Sequence, residues 1–146
     1  MNHEPLRTIE REVASWPGVS TGDTGRGGLQ LNYGKVELGH LHGSSFADLP
    51  FPKKIRDELI AEGRASVHPP LPDSGWVRRR MDGPGDTEAV IELFRMNYER
   101  AQARAKRRAA SEFSRAHVRA LKYCGPLMTA SQSFSRLRDA TATRAV

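Results

Sequence analysis

The chain has little that could cross-link or anchor it. It holds one cysteine, Cys124, among 146 residues. A lone cysteine excludes an internal disulfide and makes a reducing cytoplasm the simplest expectation. With no second Cys and no paired histidines at finger spacing, a zinc finger is excluded as well. No run approaches the ~18 apolar residues of a membrane helix, so no membrane partner is expected. The opening Met1-Asn2-His3-Glu4-Pro5 lacks a basic stretch followed by an apolar one, and no secretory signal is expected. Aromatic residues make up 7% and hydrophobic residues 38%, enough for a modest core in one ordinary domain.

Acidic residues are scarce in one part only. Residues 1–98 carry 12 Lys/Arg against 14 Asp/Glu, a balance of −2. Residues 99–146 carry 11 against 3, a balance of +8, so the net +6 belongs to the last third. This boundary separates an expected α+β domain at 1–101 from a basic Ala/Arg-rich extension at 102–146, partly helical or disordered.

Periodicity supplies the elements. Leu6, Ile9, Val13 and Trp16 recur in steps of three and four, one face of an amphipathic helix that Pro17-Gly18 ends. "GVSTGDTGRGG" at 18–28 holds five glycines and reads as a loop. It lacks the Lys-Ser/Thr of a phosphate cradle. Leu29, Leu31 and Tyr33 alternate with Gln30 and Asn32, and Gly34-Lys35 turns the chain into a second strand. There, period two puts Val36, Leu38, His40 and His42 on one face. "SSFADLPF" at 44–51 reads as a loop, followed by a helix with Ile55, Leu59 and Ile60 that stops at Gly63. Ala65–His68 is a short extended piece, "PPLPDSG" a loop, and Trp76–Met81 a strand. Asp86 is a good N-cap for a helix with Val90, Ile91, Phe94 and Tyr98, continuing to about Tyr123 before Gly125-Pro126. The last twenty residues are weakly patterned. The order predicts a small α+β domain, an antiparallel sheet packed by helices. The hairpin argues against a doubly wound fold.

Four stretches occur in order: "GHLHG" at 39–43, "DLPFPKKIRDELIAEGRASVH" at 48–68, "LPDSGW" at 71–76 and "IELFRMNYERA" at 91–101. Together they resemble the luciferase-domain family, named for the fungal luciferases and including many small bacterial proteins without an assigned activity. The resemblance covers roughly residues 6–101 and implies a compact α+β domain. For the fungal enzymes it also implies oxidation of a hydroxylated pyrone by molecular oxygen, with no flavin, ATP or evident metal as cofactor. The chain departs from the family pattern at Arg78-Arg79-Arg80, where small hydroxyl and aromatic residues are usual.

Three readings of His40 and His42 stay open. They could be hydrogen-bonded side chains of a packed strand, with Gly39 and Gly43 giving room for close approach. They could be two ligands of a first-row metal, completed by His68 with Asp48 or Asp73. Or, with His68, they could be the catalytic centre, a histidine removing a phenolic or enolic proton near neutral pH so that the substrate reacts with oxygen. Most support for this third reading comes from the resemblance. Asp73, Ser74, Trp76 and Phe51 are the candidates for lining a small-molecule pocket, although Asp73-Ser74-Gly75 also suits a plain turn and Asp48 a loop-and-cap role. "DSGW" lacks the GxSxG elbow of a serine hydrolase. The alternative function lies in the extension. Arg104, Lys106, Arg107, Arg108 and Arg115 could bind phosphate backbones without sequence preference, although a solvated helix is the ordinary outcome.

Overall fold

The computed structural model describes residues 4–25, 27–83 and 85–123. The chain divides into two compact units, residues 1–108 and 109–146. In chain order the elements are α1 (Glu4–Ala14), β1 (Val19–Asp23), β2 (Leu29–Tyr33), β3 (Val36–His42), β4 (Phe46–Pro50), α2 (Lys53–Ala61), β5 (Ser66–Val67), β6 (Trp76–Arg80) and α3 (Asp86–Tyr123). The six strands form one sheet in the order β1-β2-β3-β4-β6-β5, with every neighbouring pair antiparallel. The α+β expectation holds.

Helix α2 shows why local chemistry sets the ends. Pro52 precedes it at φ −59°, already close to helical. At its C-terminus Gly63 adopts φ +69°; its N–H bonds Ile60 O at 3.1 Å, and Arg64 N–H bonds Leu59 O at 2.9 Å. That double closure caps the last carbonyls, and glycine is favoured because φ is positive. Asp86 starts α3, but its carboxylate turns back to the preceding loop, accepting from Asp82 N–H and Gly83 N–H and pairing with Arg79.

The core lies on one face of the sheet. Ile9 and Val13 from α1, Trp16 just after it, and Val90, Leu93, Phe94 and Tyr98 from α3, are buried with Leu31, Leu38, Leu41, Ala47, Leu49 and Val77. Two sequence expectations need correction. The first half of the 18–28 loop is strand β1, which escapes notice because four of its five residues are exposed and none but Val19 is apolar. The 44–51 loop contains β4, a central strand whose Ala47, Asp48 and Leu49 are all buried.

A bulge in β3 corrects a third expectation. Leu31 pairs with Gly39, but its neighbour Asn32 pairs with Glu37, so β3 carries one extra residue there. Leu38 and Leu41 are therefore both buried in the core, which strict alternation forbids. His40 and His42 leave the face of Leu38 and join Glu37 on the opposite, open face. Gly39 takes φ +149°, and a Cβ there would stand 2.7 Å from Asp48 O and 3.0 Å from Phe94 Cε1. The bulge also sends the Leu38 carbonyl toward α3, where the buried Asn97 amide donates to it at 3.0 Å. That bond answers the need to satisfy a buried backbone acceptor outside the ladder.

In the second unit, residues 109–119 are helical and exposed, with the rings of Phe113 and His117 stacked at 6.4 Å between centroids. Cys124, Gly125-Pro126 and the last twenty residues lie outside the described residues.

Candidate functional site

Antiparallel pairing lines up residues of the open sheet face in a row. Gln30 pairs with His40, His40 with Asp48, Asp48 with Arg78, and Arg78 with Ser66. Directly opposed side chains on one face are close enough to touch, so the register alone brings His40, Asp48 and Arg78 together. His42 stands two positions along the same strand, hence on the same face. His68 follows the end of β5 and closes over the row from the sheet edge.

Asp48 is the centre. It is 1% exposed, and Arg78 grips it with a fork: Nε donates to Oδ1 and Nη2 to Oδ2, both at 2.7 Å. Oδ2 also faces His68 Nε2 at 3.2 Å, His42 Nε2 at 3.3 Å and His40 Nε2 at 3.8 Å. All three histidines thus converge on one carboxylate oxygen. Burial by itself pushes the Asp48 carboxyl up. The Arg78 hydrogen bonds and charge, with smaller help from His68 and His42, outweigh it and hold the group below its ordinary value. Asp48 in turn raises Arg78. His42 is pushed down, first by burial and then by the charges of His40 and Arg78, against the pull of Asp48. A depressed imidazole is neutral at physiological pH and keeps a lone pair for a proton or a cation.

Each histidine has a second constraint. His40 Nδ1 lies 2.7 Å from Glu37 Oε1. A carboxylate only accepts, so Nδ1 carries the proton and, in the neutral ring, Nε2 is bare. His68 is 6% exposed, and among the described residues its buried Nδ1 has no hydrogen-bond partner. Aromatic contacts frame the cluster: Trp76 lies 5.3 Å from the His40 ring and 5.8 Å from His68, Phe46 lies 4.5 Å from His42, and the Arg78 guanidinium sits 3.8 Å over Phe46. The side chains of His40 and His42 remain 20% and 35% exposed, so the cluster opens to solvent.

The structure places the sequence candidates unequally. His40, His42, His68 and Trp76 meet. Asp73 is exposed, and the Ser74 hydroxyl closes a local turn by donating to Leu71 O at 2.7 Å and accepting from Trp76 N–H at 3.1 Å. Phe51 is a core side chain, 6% exposed. Asp48, which suits a loop-and-cap role in the sequence, is instead the residue on which the cluster is built. Arg78, in the sequence only a departure from a family pattern, is its partner. Glu37 carries no mark in the sequence that sets it apart from other surface acids. For Asp48 a signal exists: an acid flanked by Ala47 and Leu49, close after a His-x-His strand. An open groove of about 300 Å³ adjoins the cluster on the β5–β6 side, lined by Gly63, Ala65, Ser66, Arg78, Arg79, Arg80, Asp82 and Asp86. Its cations are already paired, Arg78 with Asp48, Arg79 with Asp86 and Arg80 with Asp82.

Arg104, Lys106, Arg107, Arg108 and Arg115 are all exposed on α3. Among the described residues no helix is long and apolar enough to cross a membrane.

No curated protein and no solved structure matches the chain. The family model described as the luciferase domain matches residues 35–97, the stretch that contributes Glu37, His40, His42, Asp48, His68, Trp76 and Arg78. Over that stretch the chain is similar to the luciferase domain.

Proposed function

We propose that this luciferase-domain protein binds a flat phenolic or enolic compound on the open face of its sheet and promotes its oxygenation. The observation that carries the reading is the convergence of His40, His42 and His68 on the buried Asp48, beside Trp76 and Phe46. An aromatic pair beside an open face suits a planar ring, and polar groups at one end fix its orientation. His42 is the most exposed of the three imidazoles and is held neutral, so it is the base that takes the hydroxyl proton. The resulting enolate is electron-rich enough to pass electrons to molecular oxygen, the co-substrate. Asp48 and Arg78 act through the imidazoles by fixing their positions. Oxygen uptake and Trp fluorescence with hydroxylated pyrones and catechols as probes test this. Saturable binding is expected, with uptake about 100-fold slower in His42→Ala. Absence of saturable binding to the parent protein, or equal rates in the variant, overturns the reading.

A second reading rests on the exposed cations of α3. Arg104, Arg107 and Arg108 fall on one side of a helix with 3.6 residues per turn, while Lys106 falls on another. Such a stripe binds phosphate backbones with steep salt dependence. Replacement of these three arginines by glutamine is expected to abolish retention of a random-sequence duplex at low salt. Unchanged retention removes the helix from consideration.

A further inference from the structure

We infer that His40, His42 and Asp48 form a binding site for one first-row divalent cation of the zinc or ferrous-iron class. Each offers one donor atom, and the three atoms lie within 4.8 Å of one another. Around a tetrahedral ion with bonds of about 2.0–2.2 Å, two donors stand roughly 3.3–3.6 Å apart. His42 Nε2 and Asp48 Oδ2 are already separated by 3.3 Å, and His40 Nε2 and Oδ2 by 3.8 Å. The backbone register sets these separations, because His40 and Asp48 are direct cross-strand partners.

A second observation points the same way. Histidines that ligate metals typically donate their other ring N–H to a carboxylate, which fixes the tautomer and turns the bare nitrogen to the ion. His40 does so, with Nδ1 at 2.7 Å from Glu37 Oε1. The charges agree as well. Glu37 and Asp48 bring two negative charges and Arg78 one positive, so the site without an ion is net negative. Arg78 uses one lone pair on each Asp48 oxygen, and the second on Oδ2 faces His68 Nε2 at 3.2 Å, so an ion bound at Oδ2 would displace that contact. Two imidazoles and one carboxylate favour zinc or iron over calcium or magnesium, which prefer all-oxygen sites. Three protein donors leave a position open for water or a substrate oxygen, and the exposure of His40 and His42 gives the ion a route in.

The inference rests on the reading of the cluster as the working site but changes the role of His42, which would be a ligand with the ion bound and a base only without it; it is measured without substrate. The full chain is stripped with a chelator and titrated with cobalt(II) and with zinc. Binding of one equivalent is expected, with visible cobalt absorption bands of a four- or five-coordinate ion. His40→Ala and His42→Ala are expected to weaken binding at least 10-fold, and Glu37→Gln about 10-fold through the His40 tautomer. His117→Ala, which removes an exposed histidine of the second unit, should change nothing. Circular dichroism of each variant checks that the sheet persists. Absence of one-equivalent binding at micromolar metal overturns the site. So does binding that survives the His40→Ala/His42→Ala double change in a folded chain, or that depends on His117. If stripped protein binds the aromatic probes but no metal, this inference falls and the proposed function stands. If it binds metal but none of the probes, the reverse holds.

Discussion

Replacement of Asp48 by alanine is expected to lower unfolding free energy by about 3 kcal/mol or more, measured by denaturant titration. The carboxylate is 1% exposed and takes two 2.7 Å bonds from Arg78. Removing it leaves a guanidinium and the His68 Nε2 without their partner. The Arg78 side chain is 19% exposed, so its head can recover some water, which favours the lower end of the range for broken buried pairs. Two companion variants separate the causes. Asp48→Asn keeps an acceptor oxygen of the same shape and should cost less than Asp48→Ala. Asp48→Ala combined with Arg78→Met removes the stranded charge and should regain part of the loss. If Asp48→Ala is as stable as the parent, the carboxylate does not organise this face.

Gly39→Ala is expected to be comparably severe, at about 3 kcal/mol or more, read as a fall in Tm of about 10 °C or more. Two costs add. A side chain at φ +149° is strained, and its Cβ would meet Asp48 O at 2.7 Å, with Leu49 Cγ and Phe94 Cε1 at 3.0 Å. The backbone oxygen belongs to a central strand and Phe94 to the core, so neither can yield cheaply. Gly43 provides the control. It too has positive φ, at +55°, but nothing lies within 4 Å of the place its Cβ would take. Gly43→Ala should therefore cost only about 1 kcal/mol, from backbone conformation alone. Equal losses at the two positions would show that packing around the bulge is loose.

The contrast also explains what can be read from the sequence. Elements with a strong period are legible. These are α1 through Leu6, Ile9 and Val13, the β2–β3 hairpin through Leu29, Leu31 and Tyr33, α2 through its Gly63 stop, and α3 through Val90, Phe94 and Tyr98. Strand β1 is not, because an exposed edge strand of Ser, Thr, Gly and Asp carries no apolar alternation. Strand β4 is hidden by Pro50 and by an acid at its centre, features that signal loops when partners are unknown. The side-chain direction of His40 and His42 escapes for a different reason. Period two counts residues, and a bulge changes the count without leaving a mark except Gly39, which also suits close packing. The histidines are legible as chemistry, and Asp48 is legible only as one of two candidate carboxylates beside Asp73, since its central place comes from cross-strand pairing with His40 and Arg78.

The hairpin of β3 and β4 holds His40, His42 and Asp48 within nine consecutive residues. Hairpins of this kind close in about 1–10 μs, faster than most sheets are completed. His68 is 20 positions and Arg78 30 positions from Asp48 in the chain, and each must wait for a longer loop to close. The shorter loop would let the two imidazoles meet the carboxylate first, while it is still hydrated, and the guanidinium that shields it would arrive with β6. A cation present at that stage would find its donors assembled before the mature domain exists, and would bias the chain toward the correct pairing of these two strands.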